Sequence, residues 1–465
     1  MTRSLSVLVL LAAALASAPA GRAQDGARDV TGVWFAAEDY FRAGILFERD
    51  PAGVLRAYFT SDGASRGAPL SSVEVSGDRV VLQAAEVGAR FVGTLAADGS
   101  SITGVYTQEG ASVPLTFVPA APAGEAPAAR PQHPAPPYPY VSEDIVFASD
   151  APGVQLAGTL TVPDGPGPHP GVVLVPGTGD NDRDYQVYGH RPFLVLADHL
   201  TRRGVAVLRY DERGAGESGG DPYRMSFADE ALDVAAAVRA LRSRPEIDLS
   251  RVGIVGHSVG GVHAPLVHES LEPVAFVVLL MAPSMPLRPL LQAQGARMAA
   301  ANGAPPDAVE AERALGAVVV GAAAADTDSL TAAAAMAAAY DAAGYPEDFR
   351  DAAVRANTSL AYRGLARSDP GPALERLDVP VLAVYGRADL AVTAAENAGP
   401  MAAALAASRS PDAAVLVLER VNHYLQTSET GREDEAAATN VTVAPSVLEA
   451  VAAWVLQRVG AAERP

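Results

Sequence analysis

The sequence predicts a small all-β domain, barrel or sandwich, followed by an α/β domain with a mostly parallel sheet and a helical cap insertion. Three observations predict it. Between residues 29 and 118, short apolar runs alternate with Gly and Asp-Gly turns. Eight prolines then crowd the stretch from Pro119 to Pro139. Beyond it, compact apolar runs alternate with helical patterns, as strands buried on both faces of a parallel sheet do.

The first 23 residues, "MTRSLSVLVLLAAALASAPAGRA", read as a secretory signal. Arg3 is the positive end, Leu5 to Ala16 is an apolar core too short to span a bilayer, and Ala18-Pro19-Ala20 and Gly21-Arg22-Ala23 are small-x-small cleavage sites. The mature chain is therefore expected to be exported, periplasmic or secreted. The 29–118 domain holds about eight candidate strands, among them "AGILFERD", "DRVVLQA" and "ARFVGTLAADGSSITGVYTQ". Gly32-Val33-Trp34 is similar to the G-x-W of lipocalin-like barrels, although a lone tryptophan also serves as a core plug. Residues 119–140 form a semi-rigid, extended Pro-rich linker. The α/β domain spans 141–465, with strands in "GVVLVPGTG", "GVAVLRYDERGAGES", "RVGIVG", "VAFVVLLMAPS", "VPVLAVYGRADL" and "AAVLVLERVNHY", and an amphipathic helix in "FADEALDVAAAVRALRSRPEID". Residues 285–376 are alanine-rich and carry no strand signal, which predicts the helical cap, because a structureless loop of that length does not suit a compact domain.

Composition narrows the chemistry. The 465 residues carry a formal charge of −19, which disfavours nucleic acid and anionic membrane as partners. No cysteine and no lysine occur. Disulfides, thiolate metal sites, cysteine nucleophiles, a P-loop lysine, a Schiff-base lysine and a Ser-Lys dyad are excluded together. No stretch after the signal is long and apolar enough for a transmembrane helix. Asp180, Asp182, Arg183 and Asp184 in "DNDRD" look superficially like a metal loop but lack the glycine and terminal glutamate of an EF-hand. They are read as a structural ion-pair cluster at a pocket rim, so neither a metal nor a cofactor is expected.

The stretch "VGIVGHSVGG", Val252 to Gly261, carries the chemistry. Gly256-His257-Ser258-Val259-Gly260 has the form G-x-S-x-G between an apolar strand and a potential helix. That is the context of a nucleophile elbow, where a strained turn presents a serine and side chains at the flanking positions would clash. A serine nucleophile needs a base, which follows it in chain order after an acid. Only His263, His268 and His423 follow Ser258. The first two recede along the helix by about 7 and 15 Å at 1.5 Å per residue and read as helix-face histidines at or near the surface. His423, just after the last apolar strand, is then the general base, with Asn422 ordering its loop. Asp389, past the end of "VLAVYG", is the orienting acid; "LLMAPSMPLRP" contains no acid and Asp412 lies before its strand, at the wrong edge. In "LVPGTGDNDRDY", Gly177 and Gly179 let backbone approach a substrate. The N–H of Thr178 or Gly179 would pair with that of Val259 in an oxyanion hole.

On these residues the chain resembles the α/β-hydrolases, and more narrowly the bacterial esterase D–like serine hydrolases with an N-terminal β domain. The matching segments are "LAGTLTVP", "VVLVPGTGDNDRD", "LRYDERGAGESGG", "RVGIVGHSVGG", "VPVLAVYGRADLAV" and "VNHYLQ", from about 155 to 426. The resemblance implies Ser258, Asp389 and His423 as a catalytic triad, a small-molecule ester substrate with a short acyl group, an acyl-enzyme intermediate and no cofactor. Asp211 and Arg213 match a motif that is structural in the family, near the oxyanion loop. Arg387-Ala388 departs from the Glu-Lys that relatives often carry, which bears on the pocket rim. A dienelactone hydrolase would want cysteine at position 258, and a dehalogenase or epoxide hydrolase aspartate. The alternatives are a secreted serine aminopeptidase or amide hydrolase, with Asp307, Glu310 or Glu312 receiving a free amine, and a catalytically inert binding protein, against which the intact triad positions argue.

Overall fold

The computed structural model describes residues 29–36, 44–49, 53–60, 69–85, 88–108, 111–119, 130–345 and 347–460. The expected signal segment and residues 120–129 of the expected linker lie outside them. The described residues form two compact units, one holding the first eight strands, the other the residues from Arg130 onward except 347–349.

The first unit is one antiparallel sheet of β1 (Gly32–Ala36), β2 (Gly44–Arg49), β3 (Leu55–Thr60), β4 (Ser72–Ser76), β5 (Arg79–Ala84), β6 (Ala89–Leu95), β7 (Ile102–Gln108) and β8 (Ala111–Pro119), in the order β3-β2-β1-β8-β7-β6-β5-β4. A bridge between Tyr58 and Pro69 brings β3 towards β4, so the sheet nearly closes into a barrel. Alternation does the sorting: along β6, Ala89, Phe91 and Leu95 point into the core while Arg90 and Thr94 face outward. Phe91 meets Phe117 edge-on at 5.1 Å between centroids. Trp34 is buried and its indole N–H donates to Val30 O at 2.9 Å, so it plugs this core.

The second unit contains β9 (Tyr140–Ala148), β10 (Gln155–Pro163), β11 (His169–Val175), β12 (Ala206–Tyr210), β13 (Ile247–His257), β14 (Val277–Leu280), β15 (Val381–Gly386) and β16 (Ala413–Leu418), in the order β16-β15-β14-β13-β11-β12-β10-β9. β9 and β10 pair antiparallel and the strands from β12 to β16 run parallel. All seven residues of β11 are buried, Val173 and Val175 under one helical layer, Val172 and Leu174 under the other. The helices outside the cap are α1 (Pro192–Thr201), α2 (Phe227–Arg242), α3 (Gly260–Ser270), α10 (Ala394–Ala407), α11 (Glu433–Ala438) and α12 (Pro445–Val459). α2, α3 and α10 cover the first face, and α1 and α12 the second. Each fully buried Val or Leu in these layers contributes about 1.5–3 kcal/mol relative to exposure. α2 starts at a capping box, Ser226 with Asp229, and α10 at Thr393, whose hydroxyl accepts from Glu396 N.

Between β14 and β15 the described residues contain no strand. They form α4 (Leu287–Ala301), α5 (Pro306–Ala324), α6 (Ser329–Ala342), α7 (Glu347–Asn357), α8 (Leu360–Arg367) and α9 (Gly371–Glu375), a helical cap. One expectation is corrected here. His263 and His268 are not at the surface but buried, because α2 and α9 pack over α3. Their Nε2 atoms reach Glu230 at 2.7 Å and Asp378 at 2.9 Å.

Candidate active site

Ser258 stands between the end of β13 and the start of α3, with φ +52° in the left-handed region. Its N–H donates to Leu280 O at 2.8 Å, which ties the turn to β14. The flanking glycines are steric requirements. A Cβ on Gly256 would lie 2.3 Å from Gly260 O, and one on Gly260 would lie 2.4 Å from both Val175 O and Pro176 O. These neighbours are backbone and cannot swing aside, so the turn closes only with glycine on both sides of the serine.

Asp389 follows β15 and is buried, with its side chain 0% exposed. Its Oδ1 accepts the N–H groups of Ala391 at 2.7 Å and Val392 at 2.8 Å, which locks the carboxylate and leaves Oδ2 facing His423 Nδ1 at 2.8 Å. A hydrogen on Nδ1 leaves Nε2 as the basic nitrogen. Asn422 and Gln426 clamp the histidine's loop: Asn422 N donates to Gln426 O at 3.0 Å, and Gln426 N to Asn422 Oδ1 at 2.9 Å. Asp412 sits at the other end of β15, where its carbonyl accepts Val381 N and its carboxylate pairs with Arg458.

His257 joins the two halves. Its Nε2–H donates to His423 O at 2.7 Å, and the two rings stand 4.9 Å apart. Burial, then the neighbouring His423, pulls its pKa down from 6.5 to about 3, so the ring is neutral. Among the described residues Ser258 Oγ and His423 Nε2 are not hydrogen-bonded; such bonds often tighten only with substrate present.

The loop after β11 completes the surroundings. Gly177 is packed so closely that its Cβ would lie 3.0 Å from Ser258 Cβ. Thr178 and Gly179 follow, exposed. Among the described residues the N–H groups of Val259, Thr178 and Gly179 have no hydrogen-bond partner. The "DNDRD" segment is an ion-pair cluster: Arg183 bonds Asp211 and Glu217, each at 2.6 Å, Asp184 pairs with Arg209, and Asp182 Oδ1 caps the N–H of Asp184 at 3.1 Å. Arg213 pairs with Asp233 at 2.8 Å.

Residues 172–438 match the alpha/beta hydrolase family. The chain belongs to that family.

Among curated relatives, this hydrolase-family chain is similar to esterase EstD of Thermotoga maritima, 35% identical over 156 residues, which cover 33% of this chain and 37% of the relative. It is also similar to 2,6-dihydropseudooxynicotine hydrolase of Paenarthrobacter nicotinovorans, 29% identical over 113 residues, covering 24% of this chain and 28% of that one. The matched stretches thus span well under half of either relative. Among solved structures, the Pyrococcus furiosus esterase Pf2001 is 18% identical with a TM-score of 0.44, covering 69% of this chain and 91% of its own.

His423, Leu390, Tyr424, Met298, Asn302 and Arg432 help line a small solvent-open cleft. The cap thus supplies one wall, through α4 and the residue after it. Glu310 pairs with Arg313 at 3.2 Å, and Glu312 accepts the Tyr345 hydroxyl at 2.6 Å; with Asp307 they lie on α5, outside this lining. Sequence reasoning passed over three residues here, His257, Asn181 and Glu212. A polar residue inside the glycine-bracketed motif was the only local signal for any of them.

Proposed function

We propose that this chain is a serine carboxylic-ester hydrolase acting on short acyl esters through an acyl-enzyme. The observation that carries the reading is the Asp389–His423 bond of 2.8 Å beside a serine held at positive φ. Ser258 Oγ attacks the ester carbonyl carbon while His423 Nε2 takes its proton. Asp389 holds the imidazole tautomer and stabilises the imidazolium. The N–H of Val259 and a second N–H, from Thr178 or Gly179, receive the oxyanion. Collapse breaks the bond to the alcohol, which leaves with the proton from His423. Water, deprotonated by the same histidine, then attacks the acyl group and frees Ser258. The route needs no metal or cofactor, and the name of the Thermotoga relative supports the ester as substrate. The N-terminal segment supports export, which cell fractionation tests.

Hydrolysis of p-nitrophenyl acetate, butyrate and octanoate by the purified chain, beside Ser258→Ala, tests the reading. Activity is expected to vanish in the variant. Activity that survives there removes Ser258 from the chemistry, and turnover of aminoacyl anilides in place of esters moves the chain to amide hydrolysis.

A further inference from the structure

We propose that Asn181, anchored by Glu212, is a positioning residue that orients the Gly177–Thr178 peptide and so makes the Thr178 N–H the second oxyanion donor. This rests on the serine-hydrolase reading above.

The Asn181 side chain is spent on one task. Its Nδ2 donates to Gly177 O at 2.9 Å and Gly179 O at 3.2 Å, and to Glu212 Oε2 at 2.8 Å. The residue itself is fixed at both main-chain groups: Asn181 N donates to Glu212 Oε2 at 3.0 Å, and Glu212 N donates to Asn181 O at 3.0 Å. Glu212 is held in turn by its neighbours, since Asp211 is paired with Arg183 and Arg213 with Asp233. Its carboxyl is pushed well up by burial and by the Glu230 and Asp180 carboxylates nearby, so a neutral acceptor suits this position.

In a trans peptide the C=O and the following N–H point in opposite directions. Drawing Gly177 O towards Asn181 therefore turns the Thr178 N–H away from Asn181, and that N–H has no partner among the described residues. Gly177 is also the residue against the nucleophile, with its Cβ position 3.0 Å from Ser258 Cβ and 3.2 Å from Tyr185 Oη. The Gly179 N–H belongs to the next peptide, whose carbonyl, Thr178 O, has no hydrogen bond among the described residues. A Cβ on Gly179 would meet only Asn181 atoms, at 3.6 Å and beyond. Of the two candidate peptides, one is both pinned and adjacent to the serine.

The test measures kcat and KM for p-nitrophenyl acetate, per Ser258 titrated by a fluorophosphonate, so that misfolded protein is not counted. Asn181→Ala is expected to lower kcat about 10- to 100-fold, less than outright loss of a donor, with KM within about threefold. The inhibition constant of a trifluoromethyl ketone, which forms the tetrahedral oxyanion, should rise by the same factor. Glu212→Gln keeps both acceptor bonds and should stay within about threefold of the parent, whereas Glu212→Leu should match Asn181→Ala. Thr178→Pro deletes the N–H and should lower kcat about 100-fold or more, with no further loss when combined with Asn181→Ala. Unchanged kcat in Asn181→Ala, a defect confined to KM, or losses that multiply in the double variant would overturn the proposal. Activity surviving in Ser258→Ala would instead overturn the hydrolase reading beneath it.

Discussion

His257 donates from Nε2 to the main-chain carbonyl of His423 across 2.7 Å, so the residue before Ser258 holds the loop of His423. The bond spans 166 residues of sequence and joins the end of β13 to the loop after β16. Replacing the donor by an apolar ring leaves that carbonyl unpaired in a partly buried setting, a loss of up to about 1–3 kcal/mol. His257→Phe is expected to lower the melting temperature and to reduce kcat about tenfold or more, because small displacements of a base are expensive. His257→Gln, which can still donate, should recover part of both. Thermal melts and steady-state kinetics on the three proteins check this.

Acid should weaken the fold through the same ring. His257 titrates at about 3 in the folded chain and His190 at about 4, against 6.5 as the usual value, chiefly because both are buried. Between those values and 6.5 these two rings bind more protons in the unfolded chain than in the folded one, whereas the raised Glu212 carboxyl acts in the opposite sense. The rings' contribution to stability therefore rises with pH across that window and is complete above 6.5. Denaturant melts from pH 3.5 to 8 should show this slope, and His257→Phe should flatten it. A slope unchanged by the substitution would mean that other groups govern the acid limb.

How much was legible follows from how far each residue's partners lie along the chain. Ser258, Asp389 and His423 stand just past strand ends, and the apolar runs that form those strands are readable locally. The β-sheet alternation of Phe91 and Leu95 against Arg90 and Thr94 is equally local. His263 and His268 misled because their acids, Glu230 and Asp378, lie 33 and 110 residues away, and nothing near them in sequence announces burial. Asn181 and Glu212 are 31 residues apart and meet only because the loops after β11 and β12, neighbouring parallel strands, emerge at the same edge of the sheet. Sequence left Thr178 and Gly179 equivalent for the same reason.

Asp389→Asn should leave the fold nearly intact and remove most of the activity. The amide oxygen can still accept the N–H groups of Ala391 and Val392, but its NH₂ then faces His423 Nδ1, which must carry no hydrogen to accept it. The imidazole is driven to the tautomer that cannot act as base at Nε2. On the proposed mechanism a fall in kcat of about 10⁴ is expected, as for the same change in Ser-His-Asp triads. A loss below tenfold would point to another acid.

Gly260→Ala tests the elbow sterically. The new methyl would sit 2.4 Å from the Val175 and Pro176 carbonyl oxygens, at the junction of β11 and the loop carrying Thr178. The backbone must move to admit it, at a cost on the order of 3 kcal/mol. Loss of activity at temperatures where the variant is still folded is also expected, because the displaced loop borders Ser258. Circular dichroism melts beside acetate hydrolysis separate the two effects.

The cleft beside His423 should set chain-length preference. Met298, from the cap helix α4, faces it together with Leu390 and Tyr424. Met298→Ala removes three heavy atoms from the wall and makes room for more acyl carbons, whereas Met298→Trp fills it. Each methylene gained or lost in an apolar pocket changes discrimination by about 1–3 kcal/mol. The ratio of kcat/KM for octanoate over acetate should therefore rise at least tenfold in the alanine variant and fall by a similar factor in the tryptophan variant. Acetate, with the shortest acyl chain, should keep its own kcat/KM within about threefold in both. Parallel changes for acetate and octanoate would instead mean that the acyl chain leaves Ser258 by another path and that the cleft receives the alcohol.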